Sequence, residues 1–181
     1  PIEGVHTIPG RGTVVTGRVE RGRLPVGAKV EVVGRSEGKP MDAVVIGIQA
    51  FHNDLPSADA GRNVGLLLRS VDRGEVVRGQ VVIAPGTLRP HARGRAEVLT
   101  LSAKEGGRHT SFGTGYRPQF HFGAADVSAT IDLGELGSVE PGARATIGFS
   151  LDKPVACEPG MRFAIREGGR TVGAGFVTEV G

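Results

Sequence analysis

The chain reads as all-β, two consecutive small antiparallel β-barrels, and three observations predict this. Thirty glycines and eleven prolines are spread through the 181 residues rather than bunched, so they cut the apolar sequence into short pieces bounded by turn formers. Within those pieces apolar and polar residues alternate, the period of a strand with one buried face. Extended stretches with helical spacing are scarce, and the length allows one large or two small domains, each able to bury a core.

The first strand candidate runs from Val5 to Ile8. Thr13 to Val19 and Lys29 to Val33 follow, separated by a segment of Gly, Pro and Arg. Met41 to Ile48, Asn63 to Arg69 and Gln80 to Ile83 complete a first unit over residues 1–88. Short strands at this spacing with no helix between them predict a closed barrel, because closure removes exposed edges. From Ala84 to Arg95 the sequence APGTLRPHARGR carries two Pro, two Gly and three Arg with little to bury, which places the domain junction there. The second unit, 89–181, offers Ala96 to Leu101, Gln119 to Phe122, Asp126 to Leu133, Ala143 to Leu151 and a last hairpin, RFAIREGGRTVGAG, turning at Gly168-Gly169. A tight hairpin needs glycine for positive φ. It does not need Arg166, Glu167 and Arg170 beside the turn.

A net charge of +3 and a pI near 9.5 permit a phosphate-bearing partner without requiring one. No run approaches the roughly 18 apolar residues of a membrane span, and nothing resembles a signal peptide, so the expected location is cytoplasmic with no membrane partner. Cys157 is the only cysteine; it can form neither an intramolecular disulfide nor a cysteine-rich zinc site, and is expected as a small buried hydrophobe. The chain starts at Pro1, without Met and at once in strand-like sequence, as a piece of a longer protein would.

Catalytic signatures are missing. There is no GxxxxGK[ST] phosphate loop, no GxGxxG at a strand-to-helix turn, no GxSxG elbow and no HExxH spacing among the five histidines. No catalytic residue, metal ligand or cofactor is therefore assigned to this chain. What stands out is EGGRHTSFGTGYRPQFHF, residues 105–122, which sets Arg108, His109, Tyr116, Arg117 and Gln119 around turn-forming glycines. Guanidinium groups for phosphate, with amides and hydroxyls for sugars, are what a surface reading RNA backbone uses. The same groups also fit a solvated loop face, with Phe120 and Phe122 alternating as core residues.

The ordered segments PIEGV, IPGRGTVVTGRVERG, AGRNVGLLLR, EVVRGQV, EGGRHT, GYRPQF and RFAIREGGRTVGAG resemble the second and third domains of the bacterial elongation factor Tu family, and the likeness covers essentially the whole chain. The resemblance implies two β-barrels that bind aminoacyl-tRNA for GTP-dependent delivery to the ribosomal A site. GTP, GDP and magnesium would belong to a GTPase domain absent from this chain; the other implied partners are the ribosome and the nucleotide-exchange factor EF-Ts, and not DNA. It places the aminoacylated 3′ end on Glu3, His6, Thr16 and Asn63, with Val14 and Leu67 as apolar neighbours and Gln49 near the terminal adenosine. Arg78 would hold the tRNA 5′ phosphate. Arg108, His109, Arg117, Gln119, Ser128, Lys153, Glu167 and Gly168 would grip the T stem, Gly168 because a side chain there would hold the RNA away.

Departures accompany the likeness. His6 stands where the family has Phe, Gly4 where it has Asp and Gln49 where it has Glu, while Ser128 keeps the hydroxyl of a Thr and FGAADV replaces a more basic strand. The T-stem surface thus follows the family more closely than the aminoacyl pocket. This leaves an alternative: a divergent paralogue serving as a regulatory or protein-interaction module without normal tRNA delivery.

Overall fold

The computed structural model describes residues 1–34 and 39–181. It divides into two compact units, Pro1–Leu88 and Arg89–Gly181.

Among the described residues the first unit holds nine strands: β1 (Gly4–Ile8), β2 (Gly12–Arg18), β3 (Arg23–Pro25), β4 (Lys29–Val33), β5 (Met41–Ala50), β6 (Asn53–Asp54), β7 (Ser57–Asp59), β8 (Asn63–Arg69) and β9 (Val81–Ile83). The main sheet runs β1-β2-β8-β5-β4-β9 with β6 paired to β5, and β3 and β7 form a separate ribbon. Alternation determines what is inside: Val15, Val30, Val32, Val45, Leu66 and Leu68 point to one core. Along β5 the alternation changes phase. A bulge between Val45 and Gly47 puts Ala43 and Val45 inside, then Ile48 and Ala50, and turns Gly47 and Gln49 outward, as one extra residue must.

Full closure of this first barrel by strand pairing is not what the described residues show. The ladder ends at β1 and β9, and Ile2 joins its two ends: its N–H donates to Gln80 O at 2.8 Å and its carbonyl accepts from Gly79 N–H at 2.9 Å. The buried Ile2 side chain, 1% exposed, enters the core at that seam.

The second unit is a closed antiparallel barrel, β10 (Pro90–Thr100), β13 (Arg144–Ala156), β12 (Ala125–Asp132), β11 (Gln119–Phe122), β14 (Arg162–Glu167) and β15 (Arg170–Val180), with β15 pairing back to β10. Its centre is aromatic. Phe120 stacks on Phe163 at 4.4 Å between ring centroids and meets Phe149 edge-on at 5.7 Å. Phe120 is fully buried, so truncation to Ala would cost about 3–5 kcal/mol.

One boundary differs from the expectation. Residues 90–95, assigned from composition to the junction, are the first half of β10. Pro90 is tolerated as the first residue of its strand. Gly94 is needed because an added Cβ would lie 2.4 Å from Glu179 O and 2.6 Å from the Phe149 ring. The charged and glycine-rich composition thus belongs to a strand with a solvated face. No α-helix occurs among the described residues, only 3₁₀ turns at Arg73–Glu75 and Ala103–Glu105, and no helix is long and apolar enough to cross a membrane.

Candidate nucleic-acid interface

On the first unit, strand register assembles a face from the outward positions of four adjacent strands. His6 of β1 lies opposite Val14 of β2, Val14 opposite Leu67 of β8, and Leu67 opposite Gly47 of β5. The next row reads Gly4, Thr16, Gly65, Gln49. Asn63 is exposed, two residues before Gly65 on the same face of β8. Without side chains at Gly47 and Gly65 the floor stays low, and a groove of about 250 Å³ opens over it, lined by Ile8, Val14, Ile46 and Leu67 with Arg11, Gln49 and Asp54 among its polar groups. The walls are apolar and the hydrogen-bonding groups few, the ordinary make-up of a small-ligand site.

Glu3 and Arg78 stand together beside this face. The Glu3 N–H donates to Thr16 O at 2.8 Å, and Arg78 Nη1 lies 3.5 Å from Glu3 O. Arg78 is exposed, a geometry open to a phosphate.

On the second unit, the outward positions of β14, β11 and β12 align Arg166, Gln119 and Ser128 in one row. Arg117, just before β11, donates to Thr130 Oγ1 at 2.9 Å and pairs with Asp152 at 2.8 Å, and exposed Lys153 follows Asp152 on β13. The Arg117–Asp152 pair is about half exposed on both sides, so it contributes little to stability. It holds the guanidinium against the barrel instead of leaving it free.

The charges of the last hairpin have partners within the fold. Glu167 Oε2 accepts from Arg108 Nη1 and from the Tyr116 hydroxyl. Arg108 also donates through Nε to Thr110 O at 3.2 Å, and its guanidinium sits 4.7 Å over the Tyr116 ring, which stacks on Phe112 at 4.6 Å. The Tyr116 hydroxyl, together with Arg108, holds the Glu167 carboxyl below its ordinary range. Burial, and then the Glu167 carboxylate, push the Tyr116 phenol up to about 12. Burial opposes the charge on Arg108, but Glu167 and Tyr116 outweigh it and raise its pKa. Arg166 Nη2 donates to Gly169 O, bracing the turn. Gly168 and Gly169 both have positive φ, 57° and 79°, as a two-residue primed turn requires. Nothing of the chain lies within 4 Å of where a Gly168 Cβ would be, so backbone conformation accounts for this glycine within the fold. His109, exposed, adjoins Arg108.

Register therefore gathers His6, Val14, Thr16, Gln49, Asn63 and Leu67 on one face of the first unit. Gln119, Ser128, Arg117 and Lys153 share a side of the second, and Arg108 and Glu167 join at the hairpin. Three features escaped sequence reasoning. Asp54 and Asp152 bind Gln49 and Arg117, pairings set by register and invisible to spacing. Phe51 and His52 form the turn between β5 and β6, both with positive φ, 50° and 63°, and Phe51 is 93% exposed. A bulky pair at positive φ is strained; neither central position is glycine or asparagine, and Asn53, next in the chain, braces the turn by donating from Nδ2 to Phe51 O at 3.2 Å.

Two family models match the chain along its length. One described as Elongation factor Tu domain 2 covers residues 12–83, and one described as Elongation factor Tu C-terminal domain covers residues 87–181, more than half of the chain. Each match falls on one of the two β units, the first leaving out β1 with Gly4 and His6. The chain belongs to the elongation factor Tu family of translation elongation factors.

Proposed function

We propose that this chain is the tRNA-binding part of a translation elongation factor, and that it takes aminoacyl-tRNA to the ribosomal A site. The observation that carries the reading is the outward face of the first unit, where His6, Val14 and Leu67 lie in one register row and Thr16 and Gln49 in the next, with a groove lined by Val14, Leu67 and Gln49 open on it. An apolar floor with hydroxyl and amide groups at its margin suits a terminal nucleotide bearing an amino acid. Arg78 beside Glu3 takes the 5′ phosphate, and the Gln119, Ser128 and Lys153 side of the second barrel takes the T-stem backbone, with Arg117, Arg108, His109 and the Glu167-Gly168 tip at its edges. An A-form stem presents phosphates and 2′-hydroxyls but little readable sequence, so a carrier of all tRNAs contacts backbone.

In this reading GTP and magnesium are held by a nucleotide-binding domain of the longer protein, EF-Ts acts on that domain, and the setting is the bacterial cytoplasm. The test is equilibrium binding of the chain to one tRNA in its aminoacylated and deacylated forms across a salt series. The aminoacylated form binds more tightly, and the logarithm of affinity falls linearly with the logarithm of salt concentration. Equal affinity for the two forms would refute the role given to the groove.

A further inference from the structure

On the Gln119, Ser128 and Lys153 side of the second unit stands a carboxylate, a charge of the wrong sign for RNA. In the β12–β13 ladder Ala129 lies opposite Leu151, so the adjoining positions, Ser128 and Asp152, neighbour each other. Arg117 reaches across both strands: Nη1 donates to Thr130 Oγ1 at 2.9 Å, and Nη2 donates to the two oxygens of Asp152 at 2.8 and 3.2 Å. Both terminal nitrogens of the guanidinium thus have acceptors within the barrel.

A carboxylate offers a guanidinium the same pair of oxygens that a phosphate does. Asp152 therefore fills the place at Arg117 that a backbone phosphate would take. Because the pair is about half exposed on both sides, it adds little to stability, and its main effect lies in charge. Arg117, Asp152 and the exposed Lys153 leave one uncompensated cation on this side, where removal of the carboxylate would leave two.

We propose that Asp152 is an affinity-limiting residue: it holds Arg117 as an internal substitute for phosphate, so that this surface grips RNA backbone less tightly than its cations allow. The consequence is a shorter-lived complex, since affinity differences of this kind fall mainly on the rate of dissociation. The proposal rests on the aminoacyl-tRNA reading above. Its test is equilibrium binding of one aminoacyl-tRNA across a salt series to the wild-type chain, Asp152→Ala, Asp152→Asn and the double variant Asp152→Ala with Arg117→Ala. Asp126→Asn serves as the control, because Asp126 lies two positions from Ser128 on the same face of β12 and holds His121, not an arginine. Asp152→Ala binds roughly three- to tenfold more tightly near 0.1 M salt, with a slope of log affinity against log salt steeper by about one, the worth of one more phosphate contact. Asp152→Asn, whose amide oxygen still accepts from Arg117 without a charge, falls between. The double variant returns to the wild-type affinity and slope, and Asp126→Asn keeps the wild-type slope. Damage to the barrel would weaken binding, so a gain reports the freed guanidinium. Equal or weaker binding by Asp152→Ala overturns the proposal. A gain that persists in the double variant, or an equal gain in Asp126→Asn, shows only repulsion between a carboxylate and RNA and overturns it as well. Those results spare the functional reading while the wild type prefers aminoacylated over deacylated tRNA; loss of that preference removes the functional reading itself.

Discussion

Replacing Glu167 by Gln keeps the shape of the hairpin and removes one charge from the network that ties it to Tyr116 and Arg108. The effect can be followed at a single group, because Tyr116 is the only tyrosine and the chain has no tryptophan. Its phenol stands at about 12 against an ordinary value of about 10. Those two pH units correspond to about 3 kcal/mol between protonated and ionised forms. Burial is the larger cause, and the Glu167 side chain is 39% exposed, so solvent screening leaves about 1 kcal/mol for the carboxylate. A phenol whose folded value is raised contributes stability in full below its unfolded value of about 10, and the contribution is lost as pH rises through about 12. Glu167 works in the opposite sense: its lowered value adds stability above the ordinary carboxylate range, lost as the solution is acidified through the lowered value. The assay is ultraviolet phenolate titration of wild type and Glu167→Gln, with denaturant unfolding at neutral pH. The wild type titrates near 12, the variant titrates lower because Arg108 then favours the phenolate unopposed, and the variant is about 1 kcal/mol less stable. A wild-type midpoint near 10, or midpoints identical in the two proteins, would refute the network.

Two further outcomes are expected. Changing Phe51-His52 to Asn-Gly relieves two strained φ angles and stabilises the chain by about 1–2 kcal/mol in denaturant unfolding; destabilisation would contradict the strain. Cys157 is fully buried and its thiol is pushed up to about 11 by burial, so in mildly alkaline solution it reacts with a thiol reagent only at the rate of unfolding. Fast labelling of the native protein would show that the core is open there.

The sequence made the strands legible wherever one face is buried and glycine marks the turn. The Gly168-Gly169 hairpin is of this kind: both residues take positive φ between two alternating strands. The β5–β6 hairpin was hidden because Phe51 and His52 occupy positions where turn chemistry would have put Asn and Gly. The start of β10 was hidden because outward-facing arginines and a crowded glycine look like a linker when the neighbouring strands are unknown. At the candidate site, sequence pattern identified residue types but not their partners. The resemblance directs Glu167 to a ligand and leaves Arg166 without an assigned role; in the fold Arg166 braces Gly169 and Glu167 joins Arg108 to Tyr116. The Glu167 contacts join segments more than fifty residues apart in the chain, which no local spacing records.

In the proposed function the two faces bind aminoacyl-tRNA, the second through backbone phosphates. Its most direct test is the salt dependence of aminoacyl-tRNA binding by the wild-type chain and by Lys153→Ala, an exposed cation beside Asp152, using several tRNAs of different sequence. The variant should bind all of them more weakly by a similar factor, with the slope of log affinity against log salt reduced by about one. An unchanged slope, or a loss confined to one tRNA sequence, would contradict the account.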